Sequence, residues 1–145
     1  MKALTVCQGW ASLIFHPDSP KDIENRTWPT SYRGDLLIHS GKSKKSIAQS
    51  KEFCDRIGVS FPTDLVFGSI LGIVELVGCR RNFQSNWAMP HHWHWQFANP
   101  RLFAEPIVCK GALSLWTPSA EILEQVKSAV TTIDSTNAHN SQSIS

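Results

Sequence analysis

The stretch "PKDIENRTW", residues 20–28, holds three charged side chains whose types and spacing could do chemistry: Lys21, Glu24 and Arg26. If this stretch is extended, side chains alternate between two sides, so that Glu24, Arg26 and Trp28 share one side and Lys21 faces the other. Glu24 could then pair with Arg26, with Trp28 stacked beside the guanidinium. On residue types alone, a solvated surface ion pair explains the stretch at least as well as the charged lip of a ligand pocket.

A second candidate for chemistry is "HHWHW", residues 91–95. His92 and His94 fall on the same side of a strand, which is an acceptable geometry for two metal ligands. Because no cysteine or carboxylate stands nearby to complete a ligand set, we expect no metal and no cofactor. Stacking by Trp93 and Trp95 is the favoured interpretation, with the histidines donating hydrogen bonds or contacting phosphate.

Basic residues gather where a helix is predicted to begin, in "SGKSKKSIAQSK". Such a run is usually a solvated helix face, but it could also attract phosphate together with the N–H groups of the helix N-terminus. Two further basic residues end a predicted strand and could extend the same surface. The residues concerned are Lys42, Lys44, Lys45 and Lys51, followed by Arg80 and Arg81.

The composition sets limits on the class of protein. The chain has 145 residues, enough for one domain with a real core, and its net charge of +2 does not by itself argue for nucleic acid. Four cysteines without a C-x-x-C pair, and no long apolar run, predict a soluble cytoplasmic protein with reduced thiols and no membrane partner. Six tryptophans are more than such a core usually needs, and partly exposed indoles can stack on bases.

The elements that must position these residues are predicted from hydrophobic patterning and breakers. Residues 2–6 and 35–40 are predicted strands, and residues 67–81 are predicted to form a strongly curved strand because three glycines interrupt them. A helix is predicted between Gly41 and its stop at Gly58, and a second helix follows Thr117, its predicted N-cap. The sum is a curved mixed sheet or barrel with peripheral helices.

Several of these stretches occur in the order seen in ASCH domains, which this chain resembles. They are "QGWASLI" (8–14), "KDIENRTW" (21–28), "GDLLIHSGK" (34–42), "GSILGIVELVGC" (68–79) and "ANPRLFAEPIVCKGALSLW" (98–116). The resemblance implies an α+β fold, a small PUA-like β-barrel with peripheral helices. We expect an ASCH, PUA-like domain at residues 1–116, a C-terminal helix at 117–131 packed on it, and a disordered tail at 132–145.

The resemblance also implies a cleft beside the barrel that carries the K-x-x-E-x-R residues. ASCH domains are generally inferred to bind RNA, and some are similar to the YTH readers of methylated adenosine. Certain small relatives hydrolyse N4-acetylcytidine with a lysine, a threonine and a glutamate, and ribonucleases are also reported. This sequence departs from the pattern twice: Gly9 replaces a common proline, which predicts a looser first loop, and Glu24 takes the place of the hydrolases' threonine.

Three functions are therefore carried forward. The first is an RNA- or modified-nucleoside-binding module, with an aromatic wall of Trp10, Trp28 and Trp93 beside the charged cleft. The alternative is an amidohydrolase of N4-acylated cytidine nucleosides, with Lys21 and Glu24 catalytic. The third is a metal-independent ribonuclease in which Lys21, Arg26 and a histidine such as His39 handle proton transfer and phosphate charge, although a histidine in "LLIHS" is more often packed in a core. The expected ligand-binding residues are Gln8, Trp10, Lys21, Glu24, Arg26, Trp28, His39, Lys42, Asn99 and Arg101.

Overall fold

The computed structural model describes the backbone of residues 1–143 and the side chains of residues 1–136. Its elements in chain order are β1 (Lys2–Val6), α1 (Trp10–Leu13), β2 (Ile23–Arg26), β3 (Gly34–Ser40), α2 (Ile47–Ile57), β4 (Ser69–Arg80), β5 (Trp93–Val108), β6 (Leu115–Trp116) and α3 (Ala120–Ser143).

The six strands form one curled mixed sheet, a half-barrel, in the order β2-β5-β4-β3-β1-β6. Strand β1 lies parallel to β3, whereas the other neighbouring pairs are antiparallel. The predicted α+β class, with a curved sheet and peripheral helices, is confirmed. Strand β2 lies at one edge of the sheet, which leaves its outer side free to border a cleft.

Alternating side chains of the central strands pack into two layers on opposite faces of the sheet. Leu4 and Ile38 belong to the core on one face, together with Trp95. Ala3 and Leu37 belong to the other core, which the apolar residues of α3 cover. The covering residues of this helix include Ile122, Leu123, Val126, Ala129, Val130 and Ile133.

Helix α3 differs from its predicted bounds at both ends. Its N-terminal hydrogen bond comes from Ser119, whose Oγ accepts from the N–H of Ile122 at 3.3 Å, while Thr117 Oγ1 accepts from Lys2 Nζ instead of capping the helix. The helix then continues through residues 132–143, where the sequence predicted a disordered tail. Neither glycine nor proline occurs in Ala120–Ser143, so nothing stops a helix whose nucleation is already complete. Residues 144–145 lie outside the described residues, and the domain limits at 116 and 131 stay predictions.

The long apolar strand lies in a curled sheet, as predicted, and it approaches its neighbour closely at Gly72. The pairing of β4 with β5 shifts register three times, once between Ile70 and Gly72. A Cβ atom built on Gly72 would lie 2.4 Å from the carbonyl oxygen of Arg101 and 2.8 Å from the ring of Phe15. The two strands can therefore approach this closely only with glycine at this position.

We expect Gly72→Ala to destabilise the fold by about 2 kcal/mol or more, because the added methyl group must displace the backbone of β5. Urea unfolding followed by circular dichroism measures the change. Gly41→Ala is the matched control, since its Cβ would meet the Thr5 methyl group at an ordinary 3.4 Å. Equal stability of Gly72→Ala and Gly41→Ala would contradict the role assigned to this close approach.

Candidate functional site: a cleft with a buried Lys-Glu-Arg cluster

A buried carboxylate on edge strand β2 holds two cations. Glu24 Oε1 accepts from Lys21 Nζ at 2.8 Å, and Glu24 Oε2 lies 3.0 Å from Arg26 Nε and 2.8 Å from Arg26 Nη2. Lys21 is 3% exposed and Glu24 is 7% exposed, which excludes a solvated surface ion pair. We call Lys21, Glu24 and Arg26 the charged cluster.

The charged cluster keeps Glu24 ionised. Burial by itself raises the pKa of this carboxyl, but the positive charges of Lys21 and Arg26 and their hydrogen bonds outweigh burial and hold the pKa below its usual value. The carboxylate is therefore a permanent hydrogen-bond acceptor at neutral pH. A carboxylate accepts about four hydrogen bonds, so three contacts from the protein leave room for one more.

The predicted placement of Lys21 on the side opposite Glu24 is wrong. Strand β2 begins at Ile23, so Lys21 precedes the extended segment and strict alternation does not apply to it. Its side chain turns back along the chain, and Nζ donates both to Glu24 and to the carbonyl oxygen of Ile23. Nζ also lies 5.9 Å from the centre of the Trp10 ring. One lysine thus joins the charged cluster to the aromatic side of the cleft.

Arg26 connects strands that are not neighbours in the sheet. Its Nη2 donates to the carbonyl oxygen of Thr5 on β1 at 2.9 Å, although β2 and β1 are separated by three other strands in the order of hydrogen-bonded neighbours. The guanidinium therefore spans the open side of the half-barrel. Among the described residues, no hydrogen bond uses Arg26 Nη1, which leaves this group able to donate to a ligand.

The charged cluster borders a cleft of about 490 Å³. Helix α2 and the segment 87–90 both line it, and its aromatic lining comes from Trp10, Phe53 and Trp87. The rings of Phe53 and Trp87 lie 5.4 Å apart at 37°, and Trp10 meets Phe53 edge-on at 5.7 Å. The complete lining is Thr5, Val6, Cys7, Trp10, Lys21, Glu24, Asn25, Arg26, Ser46, Gln49, Phe53, Arg56, Trp87, Ala88, Met89 and Pro90.

A second cavity, of about 460 Å³, has a different character. Its lining includes Phe15, Phe61 and Phe103, and none of the charged cluster reaches it. The cleft beside β2 is therefore the one that combines aromatic rings with buried charge.

The loop at residues 82–92, which forms one side of the cleft, is held in place by polar side chains of β2 and β5. Asn25 donates from Nδ2 to the carbonyl oxygen of Trp87 and accepts at Oδ1 from the N–H of Met89, both at 2.9 Å. His94 Nδ1 accepts from the N–H of Phe83, so Nε2 carries the proton and donates to the carbonyl oxygen of Met89. These bonds fix the position of Trp87 against the cleft.

The two expected ligand-binding residues near the first loop, Gln8 and Trp10, differ in whether they reach the cleft. Trp10 lines the cleft. Gln8 is fully buried: its Nε2 donates to the carbonyl oxygen of Val66, and its Oε1 accepts from the N–H of Ser12. The loop is also not loose, since Gly9 is buried with the Phe61 ring against it. Gln8 therefore anchors helix α1 and does not line the cleft.

Two predicted members of the aromatic wall lie elsewhere. Trp28 packs edge-on against Trp95, with ring centres 4.7 Å apart, and does not stack beside the guanidinium of Arg26. Trp93 packs against the core that contains Leu4, Ile38 and Trp95, and it carries Arg81 over its ring at 5.4 Å. Neither lines the cleft. Side-chain alternation in β2 could not show that the sheet curls Trp28 onto the core.

His39 is buried and does not line the cleft. Its Nε2 lies 2.8 Å from the carbonyl oxygen of Cys109, its Nδ1 lies 3.2 Å from Thr5 Oγ1, and its ring meets Trp116 edge-on. Burial lowers the pKa of His39 and outweighs the hydrogen bond to Cys109, which raises it. The neutral imidazole fits a packed core histidine, the interpretation that its strand context favoured.

The remaining expected residues also lie away from the cleft lining. Lys42 is exposed and its side chain passes over Gly68. Arg101 Nε donates to the carbonyl oxygen of Asn99, and its Nη2 contacts Asp35 at 3.3 Å. Asn99 itself is exposed and has a positive φ of 51° within β5. The structure thus brings together Trp10, Lys21, Glu24 and Arg26 of the expected set.

Sequence reasoning missed the cleft residues on α2 and on the 82–92 loop: Gln49, Phe53, Arg56, Trp87 and Met89. No spacing rule connects them with β2, because they approach it only in the folded chain. The pairing that brings the loop before β5 beside β2, with Asn25 opposite His94, is itself a feature of the folded chain.

Metal ligation finds no support among residues 1–136, where no group of three or more His, Cys, Asp or Glu side chains could hold an ion. His92 Nδ1 bonds to the carbonyl oxygen of Pro90, and both ring nitrogens of His94 are used by the loop. All four cysteines are free thiols. In the described part of the chain, no helix is both long enough and apolar enough to cross a bilayer.

Comparison with known proteins finds one matching domain family and two related proteins. The family model for the ASCH domain matches residues 4–107. Activating signal cointegrator 1 of Homo sapiens is 35% identical over 82 residues, which is 52% of this chain and 14% of that protein. Activating signal cointegrator 1 of Mus musculus is 33% identical over 89 residues, which is 56% of this chain and 15% of that protein. The matched segment is thus a small part of each of these curated relatives.

Replacing Glu24 tests the charged cluster. We expect Glu24→Gln to destabilise the protein by about 3 kcal/mol at neutral pH, because two cations lose their buried counter-charge. The folded-state pKa of Glu24 is lowered, so its stabilising contribution is complete above the usual value of 4.5 and is lost as the pH falls through the folded-state pKa. Urea unfolding near pH 7 and at about pH 3.5 should show the wild type and Glu24→Gln converging in acid. A difference that stays constant with pH would contradict this assignment.

Replacing Asn25 tests the attachment of the 82–92 loop. In Asn25→Asp a carboxylate oxygen faces the carbonyl oxygen of Trp87, so the donor disappears while the acceptor for Met89 remains. We expect a destabilisation of about 1–3 kcal/mol. Amide hydrogen exchange in residues 87–89 should become faster than in the wild type, while exchange in β3 should change less. Asn82→Asp, an identical change at an exposed position of the same loop, should leave exchange unaltered. Unaltered exchange in Asn25→Asp would show that the loop is held in some other way.

Proposed function

Because this chain belongs to the ASCH domain family, we propose that it binds RNA or a modified nucleoside by taking an unpaired base into the cleft beside the charged cluster. One observation carries the proposal: aromatic rings and a buried, ionised carboxylate line the same cavity. Proteins recognise single-stranded RNA by this combination, stacking a splayed base and bonding to its polar edge.

The aromatic lining suits a flat ligand. Trp10 and Phe53 are partly exposed, while Trp87 is 7% exposed and fixed by its hydrogen-bonded loop. A base stacked on such a ring contributes about 1–3 kcal/mol with little dependence on its identity. Because the rings are already held against one another, little side-chain entropy is lost when a base enters.

The charged cluster suits the polar edge of a base. Glu24 has one remaining acceptor position, which an exocyclic amino group can fill. Arg26 Nη1 can donate to a carbonyl or phosphate oxygen of the same ligand. Since one acceptor and one donor lie within a single cluster, the cleft can distinguish bases by their hydrogen-bonding pattern as well as by stacking.

The two enzymatic functions weighed above rank below binding. Hydrolysis of an N4-acylated cytidine and cleavage of RNA both need a group that accepts a proton. Lys21 already donates to Glu24 and to the carbonyl oxygen of Ile23, and Glu24 contacts two cations. His39, the proposed partner in RNA cleavage, does not line the cleft. Mass spectrometry of acylated cytidines and RNA incubated with the protein would reveal either activity.

A negative charge at the cleft should weaken RNA binding. Gln49 is exposed on α2 and lines the cleft, so Gln49→Glu adds charge without changing shape. We expect about tenfold weaker binding, equivalent to ~1.4 kcal/mol, for a fluorescein-labelled single-stranded RNA of about 12 nucleotides, measured by anisotropy. Gln125→Glu, the same change at an exposed position of α3, is the matched control and should bind as the wild type does.

Nuclear magnetic resonance provides a second readout of the same site. The indole N–H signals of Trp10 and Trp87 should shift when RNA is added, because both side chains line the cleft. Equal weakening by Gln49→Glu and Gln125→Glu, or unshifted signals of Trp10 and Trp87 in the presence of bound RNA, would place RNA outside the cleft and overturn the proposal.

A further inference from the structure

Three exposed arginines lie over aromatic rings around the 82–92 loop. The guanidinium carbon of Arg80 lies 4.1 Å from the centre of the Phe83 ring, and that of Arg81 lies 5.4 Å from the centre of Trp93. Arg56 lies 5.5 Å from the centre of Phe53. Stacking holds a guanidinium in one orientation while its N–H groups point outward from its edge.

No carboxylate among residues 1–136 neutralises these arginines. In the described part of the chain, the ion pairs to carboxylates are made by Lys21, Arg26 and Arg101, and none by Arg56, Arg80 or Arg81. A guanidinium that is stacked on a ring but not paired with a carboxylate keeps its full positive charge for binding an anion. Such a group is prepared for an anionic partner, since less conformational freedom is lost when the partner binds.

The positions of Arg80 and Arg81 connect them with the cleft. Trp93, under Arg81, is the direct cross-strand partner of Arg26. Arg80 pairs across β4 and β5 with His94, whose side chain holds the 82–92 loop at Phe83 and Met89. The two arginines therefore stand at the base of the loop whose far end lines the cleft.

Arg56 belongs to the cleft lining itself. It lies on α2, and both Arg56 and the ring beneath it line the cleft. The rings of Phe53, Phe83 and Trp87 belong to one hydrophobic cluster, so positive charge is carried by residues packed around a single aromatic centre. An RNA strand that passes over this centre would meet one cation in the cleft lining, Arg56, and another at Phe83, Arg80.

We propose that Arg80 and Arg81 form a second contact point for RNA, binding backbone phosphate of nucleotides that flank the base in the cleft. This inference rests on the proposed function and specifies its ligand class: a single-stranded oligonucleotide of several nucleotides, not a free nucleoside. Arginine suits this role because its planar group makes paired hydrogen bonds to phosphate.

The test compares a long and a short probe. Anisotropy titrations use the full chain with single-stranded RNA of mixed sequence, about 12 nucleotides long, and with a trinucleotide of the same composition. The double variant Arg80→Gln/Arg81→Gln should bind the longer RNA about tenfold more weakly and the trinucleotide as the wild type does. Between about 50 and 200 mM salt, the slope of log K against log salt should fall by about 1.4, or ~0.7 for each phosphate that the variant no longer binds.

Two further variants separate phosphate binding from other effects. Lys110→Gln/Lys127→Gln removes two exposed positive charges elsewhere and should change neither affinity nor salt slope. Arg80→Lys/Arg81→Lys keeps the charges and should retain the salt slope of the wild type. Thermal unfolding of each variant establishes that it is folded.

The outcomes are distinct. Unchanged affinity of Arg80→Gln/Arg81→Gln for the longer RNA, or equal wild-type affinity for both probes, overturns the second contact point while the proposed function stands. An equal weakening in Lys110→Gln/Lys127→Gln also overturns it, because net charge alone would explain the effect. Absence of binding to either RNA by the wild type overturns this inference and, with it, RNA binding as the proposed function.

Discussion

The burial of the Glu24 carboxylate is the constraint on which the rest of the site depends. Removing a carboxylate from water costs several kcal/mol unless cations and hydrogen bonds replace the solvent. Lys21 and Arg26 supply both, at distances of 2.8–3.0 Å. Because each cation must reach the same carboxylate, edge strand β2 has one position relative to the segment before it. The charged side of the cleft follows from that single requirement.

Arg26 extends this constraint across the half-barrel. Its bond to the carbonyl oxygen of Thr5 ties β2 to β1, and the hydroxyl of Thr5 in turn contacts His39 and Trp116. His39 reaches the carbonyl oxygen of Cys109, beyond the end of β5. One threonine therefore connects the charged cluster with the layer that packs beside α3. A histidine that looked available for chemistry is instead used to hold the sheet together.

The 82–92 loop shows the same use of polar residues for positioning. Asn25 and His94 use their hydrogen-bonding groups on its backbone, which sets Trp87 into the cleft. The loop is thus a fixed wall, although its sequence of Asn, Ser, Pro and His is typical of an irregular connection. Stacked arginines at its base and on α2 then leave positive charge beside the loop and in the cleft lining.

The sequence by itself determined the α+β class, the curved strand around Gly72, helix α2 with its stop at Gly58, and the candidate status of Lys21, Glu24 and Arg26. These features depend on local patterns: hydrophobic period, glycine placement and a short motif. Tertiary structure decided that Lys21 lies on the same side as Glu24, that Trp28 packs on Trp95, and that Gln8 and His39 serve the core. The tertiary structure also brought Phe53 and Trp87 into the cleft. These residues are distant in sequence and meet only because the sheet curls and α2 packs beside β2. Periodicity assigns a side chain to a face, but the closing of one strand upon another decides what that face contacts.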